Sequence, residues 1–323
     1  MKLHHLLPIL FVASFLPVAQ AADPVPSVDQ LQPAPLHQPQ TLMQEGAAAE
    51  KGPVVVASWN IEWFPTKRPE LPMESEAVEK HIGAIAAKIK ELNPTIMIAT
   101  EVRDVASLGK LDAGFTHLAC TAIPRPEDEN PDLPNQGIAL LSKLPWDSVW
   151  ALDFSGLPQT PDRPSRGILG AKIPLPNGKP LYVYGVHLKS NRGGVEAAAV
   201  RRERAIDYWL ADLRRWRLDP EKDFIVIMGD FNSSPRDPRF APDKTLSKVQ
   251  AAGFVLASDG MTPEQAVTIP ASGQYPANDF DHILLSKALA ATMKTPAPWL
   301  EIESVPKSLS DHYPIRVRLD GLE

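Results

Sequence analysis

In this chain the β-forming runs stop on residues that ionise or coordinate, and that repetition limits the fold more than composition does. VVVASW, residues 54–59, is followed by Asn60 and Glu62; TIMIAT, 95–100, by Glu101; LYVYGV, 181–186, by His187; and FIVIMG, 224–229, by Asp230 and Asn232. Asp281 opens the run at 281–285, and Ser310-Asp311-His312 stands just before the run at 314–319. Side chains at strand ends of an open α/β sheet project from a rigid backbone into one crevice. Taken singly, each position reads as well as a turn residue, a cap or a hydrogen-bonded structural histidine. Taken together they do not, because acids gathered in one place repel unless a cation or a proton joins them. Carboxylate and amide oxygens without thiolate favour a hard ion, Mg²⁺ or Mn²⁺, over zinc.

Between these runs lie further strands at 137–142 and 168–173 and two helical patterns. Residues 75–92 place Val78, Ile82, Ile85, Ile89 and Leu92 on one face, and Asn93-Pro94 stops that helix. Residues 195–217 carry Ile206, Leu210, Leu213 and Trp216 at core spacing. Strands and helices do not alternate strictly, so a mixed-sheet α/β sandwich fits better than a doubly wound fold. The 34 prolines against 18 glycines point to rigid loops, of which 121–136 and 153–167 are the longest. No linker is visible after residue 53, so 53–323 reads as one catalytic-size domain. Residues 22–52, rich in Pro, Gln and Ala and without apolar periodicity, read as a disordered tail or linker.

The first 21 residues read as a signal peptide: Lys2, an apolar stretch at 6–18, then Ala19-Gln20-Ala21 as the small-x-small cleavage pattern. Thirteen residues at 1.5 Å rise are too short to cross a hydrocarbon core of about 30 Å, so no stable membrane anchor is expected. No cysteine follows that stretch to carry a lipid. The expected destination is the periplasm or the outside medium. The single cysteine, Cys120, forbids an intramolecular disulfide and a thiolate cluster, and reads as a small core residue. With a net charge of −6 the chain is no bulk polyanion binder, so any phosphate chemistry needs local positive charge.

Trp59-Asn60-Ile61-Glu62, Thr100-Glu101, Val186-His187-Leu188, Gly229-Asp230-Phe231-Asn232, Asp281-His282-Ile283-Leu284-Leu285-Ser286 and Ser310-Asp311-His312-Tyr313-Pro314-Ile315 occur in that order. The set resembles the endonuclease/exonuclease/phosphatase superfamily across residues 53–320, with GDFN and SDHYPI as its most specific elements. The resemblance implies a deoxyribonuclease I-like fold: a four-layered α/β sandwich, two packed mixed β-sheets flanked by helices. It implies that Glu101, assisted by Asn60 and Asp311, binds Mg²⁺, with Mn²⁺ as a possible substitute. It further implies that Asp230 and Asn232 orient the attacking water and the scissile phosphate. His312, held in its tautomer by Asp281, acts as general base or stabilises the phosphorane, and His187 contacts the phosphate. Whether Asp230 or His312 accepts the proton from water stays open in the family.

Three further positions are softer. Glu62 falls on the same side as Asn60 if the strand continues, as a supporting acid. Arg166 precedes a strand where relatives keep a basic phosphate contact, with a surface arginine as the equal alternative. Lys189, two residues after His187, opens a loop suited to cradling phosphate. The helix at 195–217 carries Arg201, Arg202, Arg204, Arg214, Arg215 and Arg217, but Glu203, Asp207 and Asp212 dilute them, so it reads as a solvated amphipathic face. His282 points away from Asp281 by strand alternation and is given no catalytic role. The expected function is an exported metal-dependent phosphodiesterase, with DNA or RNA as the preferred substrate. A lipid or small-molecule phosphoesterase is the alternative, although the loops at 121–136 and 153–167 offer only Phe154 as an aromatic for a membrane. A catalytically inactive binding protein of the same fold ranks last, since no key position is replaced. No protein partner is indicated.

Overall fold

The computed structural model describes residues 31–45, 52–68, 72–123 and 135–322. The leader expected at 1–21, much of the tail expected at 22–52 and most of the 121–136 loop lie outside them.

Two seven-stranded mixed sheets form the body. In the first, β3 (Val54–Phe64) and β4 (Ile96–Val102) pair in parallel at the centre. Antiparallel strands β6 (Gly137–Ser142), β5 (His117–Cys120) and β2 (Gln40–Met43) extend one side, β14 (Ile315–Leu319) and β13 (Glu301–Ile302) the other. In the second sheet β9 (Pro180–His187) and β10 (Phe224–Asp230) are the parallel pair. There β8 (Ile168–Pro174), β7 (Ser148–Leu152) and β1 (Leu36–His37) extend one side, β12 (Asp281–Ser286) and β11 (Phe254–Leu256) the other. Among the described residues the two long helices are α1 (Glu76–Leu92) and α3 (Val195–Arg215); α2 (Val105–Leu108), α4 (Thr245–Ala251) and α5 (Lys287–Ala290) are short.

Period-two alternation on the central strands builds the layers. Val54 and Val56 of β3, Ile96 and Ile98 of β4, Leu181 and Val183 of β9, and Val226 and Met228 of β10 meet in the core between the sheets. Ala57, Trp59 and Ile61 point the other way, onto Ile82, Ile85 and Ile89 of α1. Ile225 and Ile227 pack outward on Ile206, Trp209 and Leu213 of α3. Helix α1 starts at Ser75, whose side chain accepts from the Val78 N–H, and ends at Asn93 in the left-handed conformation. The sheets come together closely at Gly185, where a Cβ would stand 2.8 Å from Ile98 Cδ1.

The inner faces turn polar at one end. Along β3 the series Val54, Val56 continues as Ser58 and Asn60; along β10, Val226 and Met228 lead to Asp230; along β9, Leu181 and Val183 lead to His187. Register aligns His187 with Asp230 and Asp230 with Asp281, so three neighbouring strands carry one row of polar side chains.

Residues 31–45 correct the expected tail. Leu36 pairs with Leu152, and Gln40 to Met43 pair with β5, so this segment closes an edge of each sheet. Ala34 is buried, its carbonyl accepts from Arg215, and the Gln44 side chain donates to the Gly109 carbonyl at 2.9 Å. The segment lacks apolar periodicity because its order comes from backbone pairing with sheet edges, which leaves no mark on composition. Deleting residues 31–45 is expected to cost on the order of 2 kcal/mol and lower the melting temperature by about 5 °C in a thermal unfolding measurement. An unchanged transition would mean that these edges need no cover.

Candidate active site

The polar ends of the two sheets meet through one side chain. Asn60 Nδ2 lies 3.4 Å from Glu101 Oε1 within its own sheet and 3.2 Å from Asp230 Oδ2 on the other. The Asn60 Oδ1 accepts from the Glu62 N–H at 3.1 Å, and the Asn60 carbonyl accepts from Ser310 Oγ at 2.7 Å. His187 Nε2 stands 3.7 Å from Asp230 and 3.9 Å from Glu101. His312 Nδ1 and Asp281 Oδ2 are 2.6 Å apart in a buried pair. Asp230, Asp281 and His312 bring ligand atoms within 4.8 Å of one another. The structure therefore draws Asn60, Glu101, His187, Asp230, Asp281 and His312 into one cluster.

Local backbone irregularity aims several of these groups. Both β3 and β4 break register at their ends, between Asn60 and Phe64 and between Thr100 and Val102. Glu62, Trp63, Glu101 and Asn232 adopt left-handed φ of 43°, 52°, 63° and 51°. Such positions cost on the order of 1–3 kcal/mol each and persist where neighbours over-determine them. Here the Trp63 N–H donates to Glu101 Oε2 at 3.1 Å and the Asn232 N–H to Asp230 Oδ1 at 2.9 Å. Gly229 has φ 145°, and a Cβ there would meet the Val186 carbonyl oxygen at 2.0 Å, so only glycine lets β10 approach β9 before Asp230.

The electrostatics follow from burial. Burial, then the charge of Asp311, raises the Glu101 carboxyl above its ordinary range, while Arg166, His312 and Asn60 pull it back. Asp311 and Arg166 thus both act on Glu101. Burial and Asp281 push Asp230 up to about 7 against His312, the Asn232 N–H and Asn60. For His312, burial opposes the charge, yet Asp281, Asp230 and Asp311 outweigh it and hold the imidazole well above its usual value.

These donors fit a hard cation. The charge of Asp311 raises the cost of ionising Glu101, an arrangement that an oxygen-seeking dication relieves; the Asn60 amide turns its nitrogen to Glu101 and its oxygen to the Glu62 N–H. Asp281 and His312 suit it less well, because their mutual hydrogen bond already engages the facing lone pair and proton.

The softer positions divide. Arg166 is half-buried, donates to the Leu188 carbonyl at 3.2 Å and to Gln136 at 2.8 Å, and faces the cluster electrostatically. Lys189 is half-buried, and its carbonyl accepts from Arg202 at 2.8 Å. Glu62 departs from expectation: the strand does not continue regularly, and its carboxylate turns to Lys67 Nζ at 2.6 Å. His282 bonds the Ser233 carbonyl at 2.9 Å, away from the cluster. Phe154 is buried against Tyr208, so the 153–167 loop exposes no aromatic there.

The sequence matches the model of the Endonuclease/Exonuclease/phosphatase family over residues 57–312. The chain belongs to that family. Solved structures of similar fold include an endonuclease/exonuclease/phosphatase family protein from Leptotrichia buccalis C-1013-b, 13% identical, TM-score 0.54, covering 83% of this chain and 99% of that one. SmcL is 16% identical with TM-score 0.60, covering 84% and 100%. Truncated TDP2 from Caenorhabditis elegans is 19% identical with TM-score 0.54, covering 83% and 98%. A search of curated proteins by sequence returns no match. At these identities the structural likeness speaks for the fold, a deoxyribonuclease I-like sandwich. Family membership makes the chain a phosphoester-hydrolysing enzyme of a generally divalent-metal-dependent kind.

Several residues of this family member's site have supporting roles that the sequence pattern does not assign. Ser310 Oγ both donates to the Asn60 carbonyl and accepts from the His312 N–H. Thr268 Oγ1 accepts from the Asp281 N–H at 3.0 Å, and its carbonyl accepts from the Tyr313 N–H. Trp59 Nε1 donates to the His312 carbonyl at 2.9 Å. The expected solvated face of α3 is corrected: Arg202, Arg204, Asp207 and Asp212 are buried. Arg202 donates twice to Asp243 Oδ2, and also to the Lys189 carbonyl and Asn191 Oδ1; Asn191 in turn donates to the Asn232 carbonyl. This ties the loop after His187 to the loop after Asp230. Sequence periodicity cannot distinguish a charge in water from one buried against a partner 41 residues away.

Arg202→Met leaves Asp243 uncompensated and should cost about 3–5 kcal/mol in chemical denaturation, with turnover falling as well. Unchanged stability would remove the buried pair from the account. A second expectation concerns His312. Its folded-state value is raised, so its pairing contributes stability in full below the ordinary value of about 6.5 and loses it as pH rises through the folded-state value. In Asp281→Asn, an NMR titration of His312 should show its midpoint moved down; a midpoint at or above the wild-type one contradicts the pairing.

Proposed function

We propose that this enzyme is an exported phosphodiesterase that hydrolyses nucleic acid by water attack at a Mg²⁺ site. One observation carries the reading: Asn60 joins Glu101 and Asp230 across the two sheets, with His187 and the Asp281–His312 pair around them. Glu101 would hold the ion with Asn60 and Asp311. When bound, Mg²⁺ (or Mn²⁺) supplies positive charge to the scissile phosphate and to the charge that builds on it during in-line attack.

The remaining roles belong to the chain's own side chains. Asp230, near 7, is matched to taking a proton from water at neutral pH, and Asn232 orients it. His312, kept charged by Asp281, faces the phosphate as a cation and stabilises the transition state. His187 contacts a phosphate oxygen, and Arg166 and Lys189 add positive charge at the rim. Export rests on the leader pattern of residues 1–21. Among the described residues no helix is long and apolar enough to cross a membrane.

A lipid or small-molecule phosphoester is the second reading, and one feature favours it. A hairpin at 269–278 exposes Tyr275 at 67%. Its flanking residues Ser272, Gly273 and Gln274 are also exposed, so the tip is polar around a single ring rather than an apolar patch.

Incubation with supercoiled plasmid and Mg²⁺ tests the reading. The wild type should nick the plasmid, EDTA should silence it, and Asp230→Ala or His312→Ala should be slower by about 10²–10⁴-fold while remaining folded. An intact plasmid alongside hydrolysis of a lipid phosphoester would transfer the same residues to the second reading. Activity undiminished by prolonged chelation would remove the metal.

A further inference from the structure

A cavity of about 440 Å³ opens between the loop at 65–68, the first turns of α1 and residues 306–309. Its walls continue into the site along two chain segments. Leu309 stands two residues from Asp311, a chain length of at most about 7 Å. Lys67, on the opposite wall, bonds Glu62, whose own N–H donates to Asn60. It is lined by Ala77, Ala84, Pro306 and Leu309, of which only Leu309 is buried, and by Lys67, Arg68 and Lys80.

The cations are available in different degrees. Lys67 donates to Glu62 and to the Lys307 carbonyl, each at 2.6 Å, which uses two of its three protons. Lys80 meets Glu76 at 2.7 Å, but both side chains are largely exposed, so water screens that pair. Arg68 is exposed. His81 also lines the cavity, half-buried, its Nε2 shut off from solvent and without a hydrogen-bond partner. Burial and Lys67 lower this imidazole to about 4, so it is neutral at pH 7. In a chain of net charge −6, this cavity brings three cations together, two of them paired with Glu62 and Glu76.

We propose that this cavity is a second subsite, which holds a nucleotide of the substrate strand next to the scissile phosphate. It rests on the nuclease reading. The flanking phosphate lies against Arg68, Lys80 and the third proton of Lys67; the sugar and base lie against Ala84, Pro306 and Leu309. Tyr275 adds a stacking face nearby: it stands on the hairpin whose Ser272 accepts from Lys307 Nζ at 2.8 Å, and the Lys307 carbonyl binds Lys67. A simple diester reaches only the catalytic cluster, whereas a strand reaches both.

The test compares the wild type with Arg68→Ala/Lys80→Ala on a single-stranded oligonucleotide and on bis(p-nitrophenyl) phosphate, with oligonucleotide affinity followed against salt. The variant should show KM for the oligonucleotide raised about tenfold and the salt slope of binding reduced by about 1.4, roughly 0.7 per lost cation on a single strand. Its hydrolysis of the small diester should match the wild type. Oligonucleotide KM and salt slope both unchanged, with cleavage retained, would overturn the subsite and leave the nuclease reading in place. A wild type that hydrolyses the diester but no oligonucleotide would overturn the nuclease reading, and the strand subsite with it.

Discussion

One side-chain amide, that of Asn60, spans the seam between the two sheets. Its nitrogen reaches Glu101 in the sheet it belongs to and Asp230 in the sheet opposite, and its backbone carbonyl holds Ser310, which holds His312. Buried acids set this close are costly to ionise together, and a neutral donor between them lowers that cost without adding a charge. The placement of Asn60 depends in turn on the packing below it. The core between the sheets sets how far β3 stands from β10; Gly185 lets the sheets come that near, and Gly229 lets β10 approach β9 just before Asp230.

From that seam outward, support grows in shells of hydrogen bonds. Thr268 fixes the start of β12 and so the Asp281 carboxylate; Trp59 and Ser310 fix His312. On the other side Arg202 fastens the two loops that leave β9 and β10. Side chains held this way lose little freedom when a substrate arrives, and that preorganisation is what electrostatic catalysis requires. The strained left-handed residues at 62, 63, 101 and 232 are the cost of aiming them, and each of Glu62, Trp63 and Asn232 is tied by its N–H to an Asn, Glu or Asp side chain of the cluster.

Much of the site was legible in the sequence because a β-strand has a short, fixed period. Once Val54 and Val56 face a core, Asn60 must face the same way, and the same holds for Asp230 after Val226 and Met228. The reading failed where that period broke. Glu62 was assigned by extending β3 regularly, yet a register shift begins at Asn60 and sends its carboxylate to Lys67. It failed also where order came from partners distant in sequence: the segment 31–45, held at two sheet edges, and the charged side chains of α3, buried against Asp162, Asp243 and Lys248.

The sequence by itself determined the kind of layer each strand could join and the chemical identity of the groups at the strand ends, because both follow from local pattern and residue type. Only the tertiary structure decided which of those groups meet, since contact between Asn60 and Asp230 closes a loop of 170 residues that no local rule describes. It also decided their state: burial and neighbouring charge, not residue type, lift Asp230 to about 7 and keep His312 charged beside Asp281. Desolvation and Coulomb interaction depend on distance in space, and that distance exists only once the two sheets have closed on each other.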